Sequence, residues 1–244
     1  MAAGTARVRR SFRWFAAVIG LVVALVAGEC LWVRASPVAM PVVPEGGYGF
    51  SVGAPQSWMS DADADRELDA VARTRAEWMR VLIDWHIVEP VKGQYNWHYV
   101  DHWVNASKKR GLKVLGLIAY SPTWARATGS YFSAPPINPA DYAAFVTAVV
   151  QRYGDRVADW EIWNEPNLPL FFGFTDNRAA VYTGLLKAAY PAIKALQPGA
   201  TVIAAGLSRA TGPDAPTKFL ADMYANGARN FFDATAMHPY VFPG

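Results

Sequence analysis

Residues 160–167 read Trp-Glu-Ile-Trp-Asn-Glu-Pro-Asn, and the rest of the chain is best understood from this stretch. The alternation of Glu161, Ile162 and Trp163 predicts a short strand, with Glu161 and Glu165 on one face. Pro166 cannot donate to a strand ladder and disfavours a helical conformation of the residue before it. Glu165 is therefore expected to be extended, at the carboxyl end of the strand. A strand-ending turn with an exposed glutamate would give the same Asn-Glu-Pro motif, so the flanking sequence must decide between them.

Strand and helix patterns alternate along the chain. Strands are predicted over 48–52, 78–85, 113–120, 160–164, 201–207 and 234–240. Helices are predicted over 61–76, 99–110, 139–153, 177–196 and 216–226. This alternation indicates βα units and a parallel sheet.

Two parallel architectures fit this order. A doubly wound sheet usually has a glycine-rich first turn that binds phosphate, and the sequence has none. A (β/α)8 barrel carries its chemistry at the carboxyl ends of its strands. Polar and aromatic residues recur at those positions, namely Asp84, Trp85, Tyr120, Trp124, Asn164, Glu165, Ser208, His238 and Tyr240. The predicted fold class is therefore α/β, a (β/α)8 TIM-barrel type with about six βα units in residues 48–244.

Residues 1–35 are predicted to be a signal peptide or an N-terminal membrane anchor. Four arginines precede an uncharged apolar run over 14–28, which suits a signal peptide. If Glu29 is tolerated at the interface, the run extends over 14–33 and is long enough to span a bilayer. Arg9, Arg10, Ser11 and Phe12 also resemble a twin-arginine export signal. Both interpretations predict an extracytoplasmic domain, either secreted or anchored to the membrane through residues 14–33.

The remaining composition narrows the classes of function. Residues 36–47 are rich in proline and glycine and read as a linker. The only cysteine, Cys30, lies in the leader, so the domain is expected to have no disulfide. The formal net charge of +3 is due to the leader, because its five arginines and one glutamate leave 18 basic and 19 acidic residues after position 35. No basic stripe indicates nucleic-acid binding.

Five stretches together resemble the (β/α)8 retaining glycosidases of clan A, in particular their family 39 and family 5 cellulase-like members. They begin with Trp-Met-Arg-Val-Leu-Ile-Asp-Trp over 78–85 and the Pro90 to Asp101 segment. Tyr-Ser-Pro-Thr-Trp-Ala over 120–125, the 160–167 stretch and His-Pro-Tyr over 238–240 follow in the expected order. Each motif is weak alone, but together they cover nearly the whole domain. The resemblance implies hydrolysis of O-glycosidic bonds in a poly- or oligosaccharide.

The resemblance also implies roles for individual residues. Glu165 would be the general acid/base, which protonates the leaving oxygen and then deprotonates the attacking water. Asn164 would bind the sugar 2-hydroxyl, and Arg80 would lie beside the nucleophile or, alternatively, would pair with Glu161. The other expected substrate-binding residues are Trp85, Tyr120, Trp124, His238 and Tyr240. Trp85 and Trp124 could equally be core residues.

No metal and no cofactor are predicted. His98 and His102 are four residues apart on a predicted helix, which is a metal-ligand spacing. No third ligand is evident in the sequence, so a solvated helix face is the simpler interpretation.

The sequence departs from the clan pattern at the nucleophile, which in the clan is a glutamate ending strand seven. Glu165 is the last glutamate, and residue 244 follows strand six closely. Either the chain is a truncated or split product of an enzyme gene, or it is a short protein with an open barrel. An open barrel exposes strand edges that a second chain could cover. The alternatives to a glycosidase are a carbohydrate-binding pseudoenzyme and a membrane-anchored structural protein.

Overall fold

The computed structural model describes residues 47–240. The predicted leader over 1–35 and nearly all of the predicted linker lie outside the described residues, as do residues 241–244. The strands are β1 Gly49–Ser51, β2 Trp78–Asp84, β3 Lys113–Ala119, β4 Asp159–Ile162, β5 Thr201–Ser208 and β6 Ala234–His238. All six are parallel, and they pair in chain order to form one sheet.

Helices connect successive strands of this sheet. They are α1 Asp61–Arg73, α2 Trp85–Val88, α3 His98–Lys109, α4 Pro139–Tyr153, α5 Pro169–Phe172, α6 Arg178–Leu196 and α7 Pro216–Ala225. The sheet is curled, and the described part of the chain forms six strands of a TIM-type barrel with helices between them. The predicted fold class is confirmed. The sequence did not predict the two single-turn helices, α2 and α5.

Local sequence signals explain where the long helices begin. The Ser60 hydroxyl accepts a hydrogen bond from the backbone N–H of Asp63, which caps α1. The Asn138 side chain accepts from the Ala140 N–H at 3.0 Å, and Pro139 occupies the first position of α4. These caps fix the directions in which the helices leave the loops at the carboxyl ends of the strands.

Three buried tyrosines join helices to the ends of the strands that precede them. The Tyr99 hydroxyl of α3 donates to the Leu82 carbonyl of β2. Tyr142 of α4 donates to the Ile118 carbonyl of β3, and Tyr182 of α6 donates to the Ile162 carbonyl of β4, each at 2.7 Å. Because the same contact recurs in three consecutive units, these strand ends are held in place independently of the loops that follow them.

Within residues 47–240, none of the helices has both the length and the apolar character needed to cross a bilayer.

Candidate active site

The chain leaves the sheet abruptly at the carboxyl ends of β3 and β4. Tyr120 and Trp163 each directly follow the last strand residue, and both have positive φ angles, of 67° and 70°. Non-glycine residues in this region cost about 1–3 kcal/mol each and concentrate at functional sites. The two rings contact each other edge to face, with centroids 5.9 Å apart. The strain therefore lies where the clan chemistry is expected.

Glu165 lies at this edge of the sheet, but its backbone is not extended as the sequence suggested. Its φ is 46°, in the left-handed region, because the chain turns so that the Glu165 carbonyl accepts from the Leu168 N–H. The Glu165 N–H donates to the Gly206 carbonyl of β5 at 3.2 Å. The carboxyl group is buried, and its Oε1 is 2.6 Å from His238 Nδ1. Two neighbouring strands therefore fix the position of this carboxyl group.

Arg80 pairs with Glu161, which was the alternative role expected from the sequence. Its Nε donates to Glu161 Oε2 at 2.7 Å and its Nη2 to Glu161 Oε1 at 2.9 Å. Nη2 also donates to Asn164 Oδ1 at 3.0 Å. Glu161 is buried and also accepts from the Gly206 N–H. Arg80 thus neutralises Glu161 and orients Asn164, while part of its side chain still lines the cavity described below.

Gly206 is required by the close approach of the His238 ring. A Cβ at position 206 would lie 2.3 Å from His238 Nε2. The position falls where the β5–β6 register shifts, between Ala204 and Leu207. Such irregularities turn side chains toward a site. The absence of a side chain therefore lets His238 reach Glu165.

Replacing Gly206 by alanine is expected to displace His238 from Glu165 and to lower the free energy of unfolding by about 1–3 kcal/mol, as overpacking does. Denaturant unfolding measures the stability, and the ¹⁵N signals of the His238 ring report the lost contact. Gly184→Ala, in α6, is the control: nothing lies near its added Cβ, so stability is expected to stay or rise by up to about 1 kcal/mol. An unshifted His238 signal in the Gly206 variant would contradict the assignment.

Glu165 opens onto a cavity of about 580 Å³ at the carboxyl ends of the strands. A cavity of this size suits a small-molecule ligand. Six of the eight residues predicted for the site line it, namely Arg80, Tyr120, Asn164, Glu165, His238 and Tyr240. Ser208 and Arg209 at the end of β5 and Ser51 of β1 also line it. The structure thus brings together residues from all six strands and the turns that follow them.

The two predicted tryptophan platforms do not line this cavity. Trp85 is fully buried, stacks on Phe145 with centroids 5.3 Å apart, and donates its indole N–H to Glu89. The expectation that Trp85 stacks on a sugar is therefore wrong, because its ring is part of the core. Trp124 is partly buried, and its indole donates to the Glu89 carbonyl at 3.0 Å. Its contacts are with the loop after β2 and not with the cavity.

Sequence reasoning missed the role of Asn167, which the structure shows to be a cross-link. Its side-chain amide accepts from the Ser208 N–H and donates to the Ser208 and Asp214 carbonyls. This ties the loop after β4 to the end of β5. No signal in the sequence indicated this role, because the burial that obliges Asn167 to find partners is seen only in the structure.

Tyr120 and Asp84 have shifted pKa values beside the cavity. Burial, and then the nearby Asp84 charge, raises the pKa of Tyr120 to about 12. Its hydroxyl therefore stays protonated near neutral pH. Burial also raises the pKa of Asp84 to about 7, although the backbone N–H groups of His86 and Ile87 favour the charged form.

The raised pKa of Asp84 predicts a pH-dependent stability. The folded protein keeps the Asp84 proton to higher pH than the unfolded chain, whose aspartates titrate near pH 4. Stability should therefore fall as pH rises from about 4 to 7, by an amount on the order of 2 kcal/mol that Asp84→Asn removes. Urea unfolding of both proteins across this range measures the difference. Asp222→Asn, on the surface of α7, is expected to leave the slope unchanged; parallel curves for the wild type and Asp84→Asn would refute the shift.

The His98 and His102 pair lies on the outer surface, away from this cavity. His98 Nε2 and His102 Nδ1 are 3.4 and 3.5 Å from the carboxylate oxygens of Asp61, and His102 Nε2 is 3.6 Å from Asp65. Within residues 47–240, no group of three or more potential ligands is arranged to hold a metal ion. The contacts of these histidines are thus with carboxylates of α1, and they join α1 to α3.

The curled parallel sheet, with a cavity at the carboxyl ends of its strands, defines a partial (β/α) barrel. The structure is similar to a family 39 glycoside hydrolase from Bacteroides cellulosilyticus WH2, with a TM-score of 0.62 and 28% identity. That similarity covers 83% of this chain and 41% of the other. A monomeric beta-xylosidase from Caulobacter crescentus CB15 shares the fold, with a TM-score of 0.58, 22% identity and coverage of 79% and 41%.

Both of these solved structures are glycoside hydrolases, the class that the sequence resembles. The chain spans less than half the length of each of them. No protein-family model matches the sequence.

Proposed function

We propose that the chain is part of an exported glycoside hydrolase that cleaves O-glycosidic bonds of a poly- or oligosaccharide with retention of configuration. Glu165 is the general acid/base. The nucleophile is a second carboxylate supplied by polypeptide other than residues 1–244. The proposal rests above all on the placement of the Glu165 carboxyl group, buried at the carboxyl ends of the strands and facing a sugar-sized cavity.

The two oxygens of Glu165 have different surroundings, which suits proton transfer. His238 holds Oε1 at 2.6 Å. In the proposed mechanism the other oxygen, Oε2, meets the glycosidic oxygen. A donor or acceptor held within hydrogen-bond reach is the geometric requirement for general acid/base catalysis.

The neighbours of Glu165 suit the binding of a neutral sugar. The Asn164 amide, whose oxygen accepts from Arg80, is placed to bind a hydroxyl group of the ring that is cleaved. Tyr240 packs near His238, with ring centroids 5.5 Å apart, and both line the cavity. Arg80 acts by neutralising Glu161 and by orienting Asn164.

A second candidate is a carbohydrate-binding protein without catalysis. Among the residues of 47–240 that line the cavity, Glu165 is the only carboxylate. A retaining mechanism needs two, about 5–5.5 Å apart. If no other polypeptide supplies the second one, the cavity binds sugar without cleaving it.

The proposal includes export and the expected partners. Residues 1–35 act as a signal peptide or as an anchor through residues 14–33, and the domain is extracytoplasmic. The partners are the carbohydrate substrate and a second chain, or a further segment of this one, that completes the barrel. Neither nucleic acid nor a cofactor takes part.

The test is to read the coding sequence beyond the Gly244 codon, express the protein that it specifies, and assay aryl xylosides, glucosides and mannosides. A further strand ending in glutamate, together with hydrolysis that retains the anomeric configuration in proton NMR, is the expected result. Inversion of configuration would exclude the retaining mechanism. Saccharide binding by calorimetry without turnover would favour the binding protein.

A further inference from the structure

The loops after β3 and β4 carry a row of exposed aromatic rings that the proposed chemistry does not use. Phe132, Tyr131 and Phe174 are 54%, 40% and 81% exposed. The Tyr131 ring lies 4.6 Å from Phe132 and 6.1 Å from Phe174, measured between centroids. We call these three residues the aromatic track. Large apolar side chains that are exposed together mark a binding surface.

The aromatic track is continuous with the cavity. Tyr120, which lines the cavity, has its ring centroid 6.4 Å from that of Phe132. Because the track and Glu165 both follow the carboxyl ends of β3 and β4, they lie on the same face of the barrel. A ligand that fills the cavity and extends beyond it therefore meets Phe132, Tyr131 and Phe174 in turn.

The backbone beneath the track is held in place. The Ser133 hydroxyl donates to the Leu170 carbonyl at 2.6 Å, which joins the two loops. A Cβ at Gly173 would lie 3.1 Å from the Ala134 Cβ, so the loops also pack closely. The Ile137 N–H donates to the Ala125 carbonyl and closes the first loop. Rings fixed in this way bind a ligand without a large ordering cost.

The chemistry of the track selects a neutral ligand. No Asp, Glu, Lys or Arg occurs over residues 127–138 or 166–175, so the rings of the track are flanked in sequence by uncharged residues. Arg126, which precedes the first of these segments, donates to the Ser121 and Phe132 carbonyls. Successive planar rings, bordered by serine and threonine, match the apolar faces and hydroxyl edges of successive sugar rings.

We infer that the aromatic track binds further sugar units of a neutral glycan chain whose end or interior occupies the Glu165 cavity. The substrate class is thus a neutral polysaccharide or long oligosaccharide, and not a disaccharide. This inference rests on the proposed function, because it assigns the cavity to a sugar.

The test is calorimetric titration of the full chain carrying Glu165→Gln with β-1,4-linked xylo-, cello- and manno-oligosaccharides of two and six units. The six-unit chain of the preferred sugar is expected to bind roughly tenfold more tightly than the two-unit chain. Phe174→Ala should remove this gain and leave the two-unit affinity unchanged, and Phe174→Tyr should restore it. Tyr224→Ala, an exposed aromatic on α7, is the matched control and should have no effect.

The outcomes separate the inference from the proposed function. If the two-unit saccharide binds and the six-unit saccharide binds no more tightly, the inference about the track is wrong. It is also wrong if Phe174→Ala does not change the difference in affinity. In both cases the assignment of the cavity to a sugar still stands. Failure of every saccharide to bind overturns both. Two further measurements complete the test: sedimentation measures the oligomeric state, and pelleting with phosphatidylcholine vesicles measures membrane binding. A dimer or a vesicle interaction that Phe174→Ala abolishes would show that the track contacts a second copy or a membrane, and would overturn the inference.

Discussion

Replacing Glu165 by glutamine is expected to lower kcat for unactivated glycosides by about 10²–10⁴-fold, because the amide cannot protonate the leaving oxygen. Glutamine keeps the size of the side chain and can still hydrogen-bond His238, so the fold should be unchanged. The measurement is steady-state hydrolysis by the protein that also contains the nucleophile. KM should change little, because the lost interaction belongs to the transition state.

The choice of substrate sharpens this experiment. A dinitrophenyl glycoside has a leaving group that needs no proton, so its rate of bond cleavage should fall far less in Glu165→Gln. Glu77→Gln is the matched control, because Glu77 is exposed and pairs with Lys113 at the opposite end of β2. Equal losses for both classes of substrate would mean that Glu165 does not act as the acid.

Replacing Glu161 by alanine is expected to lower the free energy of unfolding by about 3–5 kcal/mol, because it leaves a charged partner unpaired in the interior. The Arg80 guanidinium would lose two hydrogen bonds, and the buried Gly206 N–H would lose its acceptor. An unmet buried donor adds about 1–3 kcal/mol of its own. Denaturant unfolding monitored by tryptophan fluorescence measures the change.

The same experiment needs a surface ion pair for comparison. Asp222 pairs with Lys218 on α7, four residues apart and largely in solvent. Asp222→Ala is expected to cost about 0.3–0.5 kcal/mol. If Glu161→Ala costs no more than this, the Arg80–Glu161 contact does not hold the two strands together. Asn164 should also lose its fixed orientation in the Glu161 variant, because Arg80 is no longer held.

Much of the fold was predictable because each element carries its own signal. All six strands and the five long helices occur close to the predicted bounds, since buried parallel strands and capped amphipathic helices have distinct patterns. The predicted helix starts at 61 and 139 agree with the structure, whose caps, Ser60 and Asn138, directly precede them. The single-turn helices α2 and α5 were missed, because four residues are too few to establish a helical period.

Most residues of the candidate site could be predicted from the sequence, but the contacts between them could not. Sequence order places Glu165, His238 and Tyr240 at strand ends, yet it does not say which side chains touch. Trp85 is buried because it packs against α4, and Arg80 is paired because β4 lies nearby. Both contacts join residues that are far apart in the sequence. The Glu165 backbone departed from the local preference set by Pro166 because the turn to Leu168 overrides it.

The aromatic track illustrates the same limit. Tyr131, Phe132 and Phe174 are unremarkable in the sequence, since isolated aromatics are usually core residues. Only the folded chain brings the two loops to one rim and leaves the rings exposed. Gly206 was overlooked for a related reason, because its role is defined by the ring of a residue more than thirty positions away.

The tyrosine hydroxyls at the ends of β2, β3 and β4 divide the molecule into a scaffold and replaceable parts. Tyr99, Tyr142 and Tyr182 hold the strand ends through hydrogen bonds from the helices. The positions of these strand ends therefore depend little on the loops between strand and helix. Segments such as 121–138 can therefore be exchanged for those of another barrel. Substrate preference can thus be redesigned, or drift during evolution, while the proton-transfer machinery stays where it is.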